Sequence, residues 1–323
     1  MRIYFPNSGH LQNFGGFARK QDLSDPTSLE FSMNASYVSV HPMALAMAAA
    51  AGQHVRETGG PINADLAASD GSVRYIARMK LTDVLGVEPD LPMVEHAPEG
   101  RFIPLTRIQT QEDLNNFIRQ MVPLLHATPD EAGPIKYVIT ELVRNVLEHA
   151  ASPIGAMVCA QYFSKTERLS LGVADFGIGI RESIGAFHHA PTDLEAIHLA
   201  LRPGVTGATA RLGGNEQNAG AGLFFTKSIA RVTRNFFVIY SGNAMFKLRP
   251  GSRTAQPTLL SDPATDAATR EQDLPYWPGT AIGVDANVGS SAEFAELLAS
   301  IREAYRLNVK AKSKAKYRKA RFT

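Results

Sequence analysis

The chain has 323 residues, 44% hydrophobic and 20% charged, an ordinary soluble globular composition with room for two domains. It contains no run of about 18 apolar residues, which argues against a helical membrane span, and the opening MRIYFPNSGH lacks the apolar stretch of a secretory signal. The single cysteine, Cys159, leaves no intrachain disulfide or zinc cluster and fits a reducing cytoplasm. The net charge of +2 hides an asymmetry. Residues 304–323 hold eight of the 33 Lys and Arg and no acid, leaving 25 basic against 31 acidic residues elsewhere, a net of −6. The body is therefore not an obvious nucleic-acid binder. The basic tail is read either as a solvated end or as a contact for nucleic acid or an acidic partner.

In chain order, LEFSMNASYVSV (29–40) is rich in strand formers. The segment from Pro42 to Gly60 reads as a helix that Pro42 opens and Gly59-Gly60 stops. SVRYIARMKLTDVLGV (72–87) suggests a strand or turn and then a short helix, so residues 1–90 read as a small α/β unit. Four prolines from Glu88 to Pro104 suggest a linker, taken as 91–109. Residues 110–125 have a helical period. In the next segment Ile135, Val138, Ile139, Leu142 and Val146 form a second helical stripe. GAMVCAQYF and RLSLGVAD read as strands around a polar turn. DLEAIHLAL and AGLFFTKSIARVT read as helices, and FFVIYSGNAMFKL as a hairpin turning at Ser241-Gly242-Asn243. Residues 249–278 look like a polar insertion, GTAIGVDANV like a last strand, and 291–307 like a helix before the tail.

Four stretches carry chemistry. ELVRNVLEHA sets Glu141, Asn145 and His149 four residues apart on one helix flank. A carboxylate can act as a general base and an amide oxygen suits Mg²⁺, although a solvated flank explains the same spacing. LSLGVADFGIGI ends a strand in Asp175, with Gly177 and Gly179 following, and lacks the third glycine of a dinucleotide fingerprint. An acid there can accept a hydrogen bond from an adenine amino group; the plain alternative is a D-x-G turn. In NAGAGLFF, Gly220 and Gly222 precede a helix whose free N–H groups suit phosphate, unless the loop holds no ligand. PGTAIGV puts Thr280 at the start of the last strand.

The order of these stretches resembles the GHKL ATPase family, which includes the ATP-binding domains of gyrase, mismatch-repair proteins and histidine kinases. The resemblance covers roughly residues 110–288, and within the family TELVRNVLEHA is most similar to the anti-sigma-factor serine kinases. It implies an α/β (α+β) fold of the Bergerat type, a mixed sheet with helices on one face, over 110–290. ATP and Mg²⁺ would be the cofactors. Asn145 would hold the metal, Asp175 would read adenine, and Gly177 and Gly179 would floor the pocket. Gly220, Gly222 and Leu223 would close a lid over 185–219 and meet the phosphates. Thr280 would support the base, and Glu141 would be the catalytic base. His126 follows a single short helix, against the helical hairpin of a sensor kinase, and His149 is read as structural. Residues 1–90 resemble a STAS domain, although the Asp-Ser pair of that family is missing at SVHP and leaves Ser39 a doubtful phosphoacceptor.

The expected protein is thus a cytoplasmic ATP-dependent kinase or ATPase acting on a regulatory protein partner. Its parts would be a docking domain (1–90), a linker (91–109), the ATP domain (110–290) and a C-terminal helix and tail (291–323). The alternatives are an ATP-driven switch with little turnover, or a nucleic-acid-associated regulator. An oligomer is compatible with either, and no membrane contact is expected.

Overall fold

The computed structural model describes residues 1–91, 102–124, 133–205, 222–251, 254, 259–287, 296, 298–303 and 305–307. The N-terminal segment runs through β1 (Arg2–Phe5), β2 (Ser8–Gly9), α1 (Phe14–Ala18), β3 (Leu29–Met33), β4 (Ser39–Val40), α2 (Pro42–Glu57), β5 (Ile62–Asp65), α3 (Asp70–Arg78) and α4 (Leu81–Leu85). Strands β1, β3 and β5 pair in parallel with β3 central, while β2 and β4 form a separate parallel pair. The crossover from β3 to β5 is α2, as parallel neighbours require.

The larger sheet is built from β6 (Phe102–Ile108), β7 (Ala156–Phe163), β8 (Arg168–Asp175), β9 (Phe237–Gly242), β10 (Ala244–Leu248), β11 (Ala268–Glu271) and β12 (Trp277–Asn287). Its order is β11-β10-β9-β12-β8-β7-β6. Five helices belong to this part: α5 (Gln111–Leu124), α6 (Gly133–His149), α7 (Gly179–Gly185), α8 (Asp193–Ala200) and α9 (Gly222–Val232). They pack on one face of the sheet. Val138, Ile139, Leu142 and Val146 of α6 share a core with Phe224 and Ile229 of α9 and with Leu171 and Val173 of β8.

The other face meets α2. Every residue of this helix from Pro42 to Gly52 is buried, six of them alanine, so only its last turn, with Arg56 and Glu57, turns a polar side to water. A helix apolar all round must be enclosed. Here it lies between the parallel sheet and the large one, in a single core that includes Leu29, Phe31, Met157, Cys159, Ala174 and Tyr240. Small side chains permit the close approach. A Cβ on Gly172 of β8 would stand 2.2 Å from the Pro42 carbonyl carbon and 2.3 Å from the Met43 nitrogen. A Cβ on Gly283 of β12 would stand 2.6 Å from Leu11 Cδ2. Pro42 occupies the first turn of α2, where its missing N–H costs nothing, and His41 Nδ1 accepts the Met43 N–H at 3.0 Å. After the helix, Gly59 takes φ +75° and the chain turns back toward β5.

Several expectations need correction. Every pairing in the large sheet is antiparallel, so it is not the mixed sheet that the resemblance implied. Both of its faces are covered, one by helices and the other by α2. Residues 72–85 form two helices and no strand; Ser72, Val73 and Ile76 are buried at helical spacing. Residues 102–108, within the stretch read as linker, form edge strand β6, and 268–271, within the polar insertion, form β11. Residues 179–185, read only as a glycine-rich turn, form helix α7, and the other helices and strands of 110–290 coincide with their sequence patterns to within a few residues. Most of the linker (92–101), His126 and the basic tail (308–323) lie outside the described residues. Among the described residues no helix is long and apolar enough to cross a membrane.

The contact at Gly172 is testable. Gly172→Ala forces a methyl into the backbone of α2 and is expected to cost about 1–3 kcal/mol in urea-unfolding stability. Gly16→Ala, where a Cβ meets nothing within 4 Å, is expected to be near neutral. Equal midpoints for the two variants would disprove the close helix–sheet seat.

Candidate functional site

The site is built at the end of β8. Alternation along this strand turns Val173 and Asp175 toward the helical layer and Ala174 toward α2. Asp175 is 1% exposed, and its Oδ1 accepts the Gly177 N–H at 2.9 Å. Thr280 adds a second backbone hydrogen bond to the same carboxylate. Burial dominates these two favourable contacts and pushes the Asp175 carboxyl up to about 7.

Glycine is required around this carboxylate. A Cβ on Gly279 would lie 2.4 Å from Asp175 Oδ1, and one on Gly177 would lie 2.0 Å from the Ala150 carbonyl oxygen. Gly179 has φ +74° and passes close to the Pro278 carbonyl. Ser241 knits the pieces together. Its hydroxyl donates to the Gly279 carbonyl at 2.8 Å and accepts the Ile180 N–H at 3.0 Å, with Thr280 Oγ1 at 3.4 Å. The D-x-G-x-G loop and the start of β12 thus become one unit. A cleft of about 580 Å³ borders this unit, lined by Gly179, Arg181, Asp193, Ser241, Tyr276 and Pro278 among others.

Helix α6 carries the other half. Its end is tied to the loop because the Ile178 N–H donates to the Ala150 carbonyl at 2.8 Å. Asn145 and Glu141 lie about 7 Å and 13 Å back along the axis from Ala150. Both are half-buried. Gly222, which opens α9, sits against them: a Cβ there would be 2.7 Å from Glu141 Oε2 and 3.4 Å from Asn145 Nδ2. Burial raises the Glu141 carboxyl; Arg144 offsets this in part and Glu148 adds to it. Leu223 is half-buried against the helical core. His149 is half-buried with its pKa lowered by burial, and its Nε2 lies 3.9 Å from Glu148 Oε2.

The structure therefore gathers Asp175, Gly177, Gly179 and Thr280 around one buried carboxylate, and Glu141, Asn145 and Gly222 at the α6–α9 contact. One helix joins the two groups. Gly220 lies outside the described residues. The first part of the expected lid holds the helix that DLEAIHLAL suggested. Residues 193–200 form α8, whose Thr192 and Glu195 make a capping box, and Ile197, Leu201 and Val205 are buried. Residues 206–219 lie outside the description. Ser241 was legible only as a turn residue. Its bonds to residues some 40–60 positions away left no local signal. Comparison with protein-family models finds no match for this chain, and comparison with curated proteins finds none either.

The buried carboxylate has a measurable signature. A carboxyl raised from 3.8 to about 7 makes the folded state lose stability as pH climbs between those values. The cost above pH 7 is roughly 4 kcal/mol at its upper bound. Asp175→Asn keeps one acceptor oxygen and no charge. Its melting temperature is expected to exceed that of the parent at pH 8 and to match it near pH 4. Parallel pH profiles for the two proteins would rule out an unusual Asp175.

Proposed function

We propose that the chain is a GHKL-type ATP-binding regulatory protein that transfers the γ-phosphoryl group to a serine or threonine of a partner protein, or to water. The observation that carries this reading is the convergence of Glu141, Asn145, Asp175, Gly222 and Thr280, remote in sequence, around one helix and one strand end. Asp175 offers adenine an acceptor. The first turn of α9 offers N–H groups to phosphate. Among the described residues, no three His, Cys, Asp or Glu side chains gather to hold an ion alone. Asn145 would hold a Mg²⁺ ion brought by the nucleotide through its amide oxygen.

Bound Mg²⁺ would neutralise charge on the transferring phosphate. The chain's own part is positional and acid–base. Glu141, held close to Gly222 and raised by burial, is suited to take the proton of an attacking hydroxyl or water nearer to neutral pH than an ordinary glutamate. The raised carboxyl favours the kinase or ATPase reading over a switch that binds ATP without turnover. Residues 1–90 are proposed as a STAS-like docking unit without a phosphoacceptor, in a cytoplasmic protein.

The reading is tested with γ-labelled ATP and Mg²⁺, by following the label to free phosphate, to this chain or to an added protein. Glu141→Gln is expected to retain ATP binding and lose about 100-fold or more in turnover. Asn145→Ala is expected to weaken binding only when Mg²⁺ is present. Retained turnover in Glu141→Gln would remove that residue as the base.

Recognition of adenine has its own test. The acceptor form of Asp175 is the ionised one, so ATP affinity is expected to fall as pH drops through about 7. GTP, which presents a carbonyl in place of the amino group, is expected to bind at least about 100-fold more weakly. Pull-down or calorimetric titrations showing equal ATP and GTP affinity would take Asp175 out of the site.

A further inference from the structure

The face of the large sheet opposite the five helices carries a second constellation. A cleft of about 650 Å³ opens where the N-terminal turn of α2 meets β8 and β12. This is the size of a small-molecule pocket. His10, His41, Arg168 and Asp285 line it, with Phe163 and Phe236 among its apolar walls. None of them takes part in the site around Asp175.

The polar groups are held in place. Asp285 is 6% exposed, accepts a hydrogen bond from Ser170 Oγ, and has His41 Nε2 at 3.4 Å. Burial works to raise this carboxyl, but His41 and Ser170, with Arg168 nearby, keep it below its ordinary range and therefore ionised. His41 is 3% exposed, and its Nδ1 accepts the Met43 N–H, so its proton sits on Nε2. That Nε2 faces the Asp285 carboxylate, outside good hydrogen-bond geometry. Arg168 spreads its guanidinium 4.7 Å over the Phe163 ring, and its buried Nε has no hydrogen-bond partner. His10 faces Ser39 Oγ at 3.0 Å through Nε2 at the rim. One carboxylate thus sits among an arginine and two imidazoles, and the buried Nε of Arg168 is unused. Unused buried donors cost stability unless a ligand or water takes them.

We propose that this cleft binds a small aromatic or apolar molecule through a phosphate ester. The donors approach from two sides, Arg168 from the sheet and His10 from the N-terminal segment. A tetrahedral oxyanion accepts from several directions, whereas a flat carboxylate is filled by one guanidinium fork. Phe163 and Phe236 provide the apolar surface for the remainder of the molecule. Such a ligand would span the junction between the N-terminal segment and the large sheet.

The test is calorimetric titration of the full chain with phenyl phosphate, and with benzoate for comparison. Phenyl phosphate is expected to bind saturably at one equivalent and about tenfold more tightly than benzoate. Arg168→Met keeps an unbranched apolar stem beside Phe163 while removing the guanidinium, and is expected to weaken binding about tenfold or more. His10→Gln, at the half-open rim, provides a second variant with little folding risk and is expected to weaken it severalfold. Asp175→Asn is expected to change nothing, which separates this cleft from the proposed nucleotide site. The proposal is overturned by absence of saturable binding, by equal affinity for benzoate, by full affinity in both Arg168→Met and His10→Gln, or by loss of binding in Asp175→Asn.

Discussion

The architecture depends on one close contact, the seat of α2 on β8 and β12. Six alanines and the absence of a Cβ at Gly172 bring the helix backbone against the sheet backbone, and Gly283 leaves room for the Leu11 and Met43 side chains. The helix exposes so little surface that almost any larger side chain at the interface would push it away. Because α2 is also the crossover of the parallel sheet, the same contact fastens the N-terminal segment to the large sheet. Cys159 strengthens it locally, with its thiol donating to the Pro42 carbonyl at 3.3 Å. The burial of this cysteine serves packing, since its thiol lies deep and its pKa is driven well above the ordinary value by desolvation.

This seat reaches the candidate site through Phe176. The residue after Asp175 turns to the α2 face, where its ring stacks on His54 at 4.1 Å and meets Trp277 edge-on at 5.4 Å. Asp175 itself turns to the helices. One dipeptide is therefore gripped from both layers, and the glycines that follow leave from a fixed point. Such anchoring lets a carboxylate remain buried at a loop base, where desolvation sets its ionisation.

Much of the fold over 110–290 was readable because it is locally coded. The stripe on α6 has the helical period, Asp175 ends an apolar run, and Gly242 takes φ +61° at the hairpin turn its sequence suggested. What escaped was coded elsewhere. Strand β1 (RIYF) is a four-residue run, too short for a period, and its place beside β3 is set by long-range pairing. Strand β6 was hidden by Pro104, which sits in an edge strand at a register shift. The helix at 70–78 looked like a strand because Val73, Tyr75 and Ile76 favour either state, and burial on one helical face decided the outcome. For the site, residue types and order were legible. The meeting of Gly222 with Glu141, and the role of Ser241, arise only when the strands are assembled.

The same two strands divide chemistry between the faces of the sheet. On β8, Leu171, Val173 and Asp175 look toward the helices, while Ser170, Gly172 and Ala174 look toward α2. On β12, Ile282 and Val284 follow the first group and Asp285 pairs across from Ser170 in the second. Asp175 and Ser170 are five residues apart, roughly 17 Å along a strand. The two acidic centres thus occupy opposite faces and opposite ends of one antiparallel pair. They share no side chain, and electrostatic influence between them is weakened by that distance. Any coupling between the two ends must pass through movement of the strands or of α2. The glycine-floored seat opposes such movement, because shifting the helix requires backbone atoms to pass one another rather than side chains to repack. The stiff layer that isolates the two faces is therefore also a mechanical link between them.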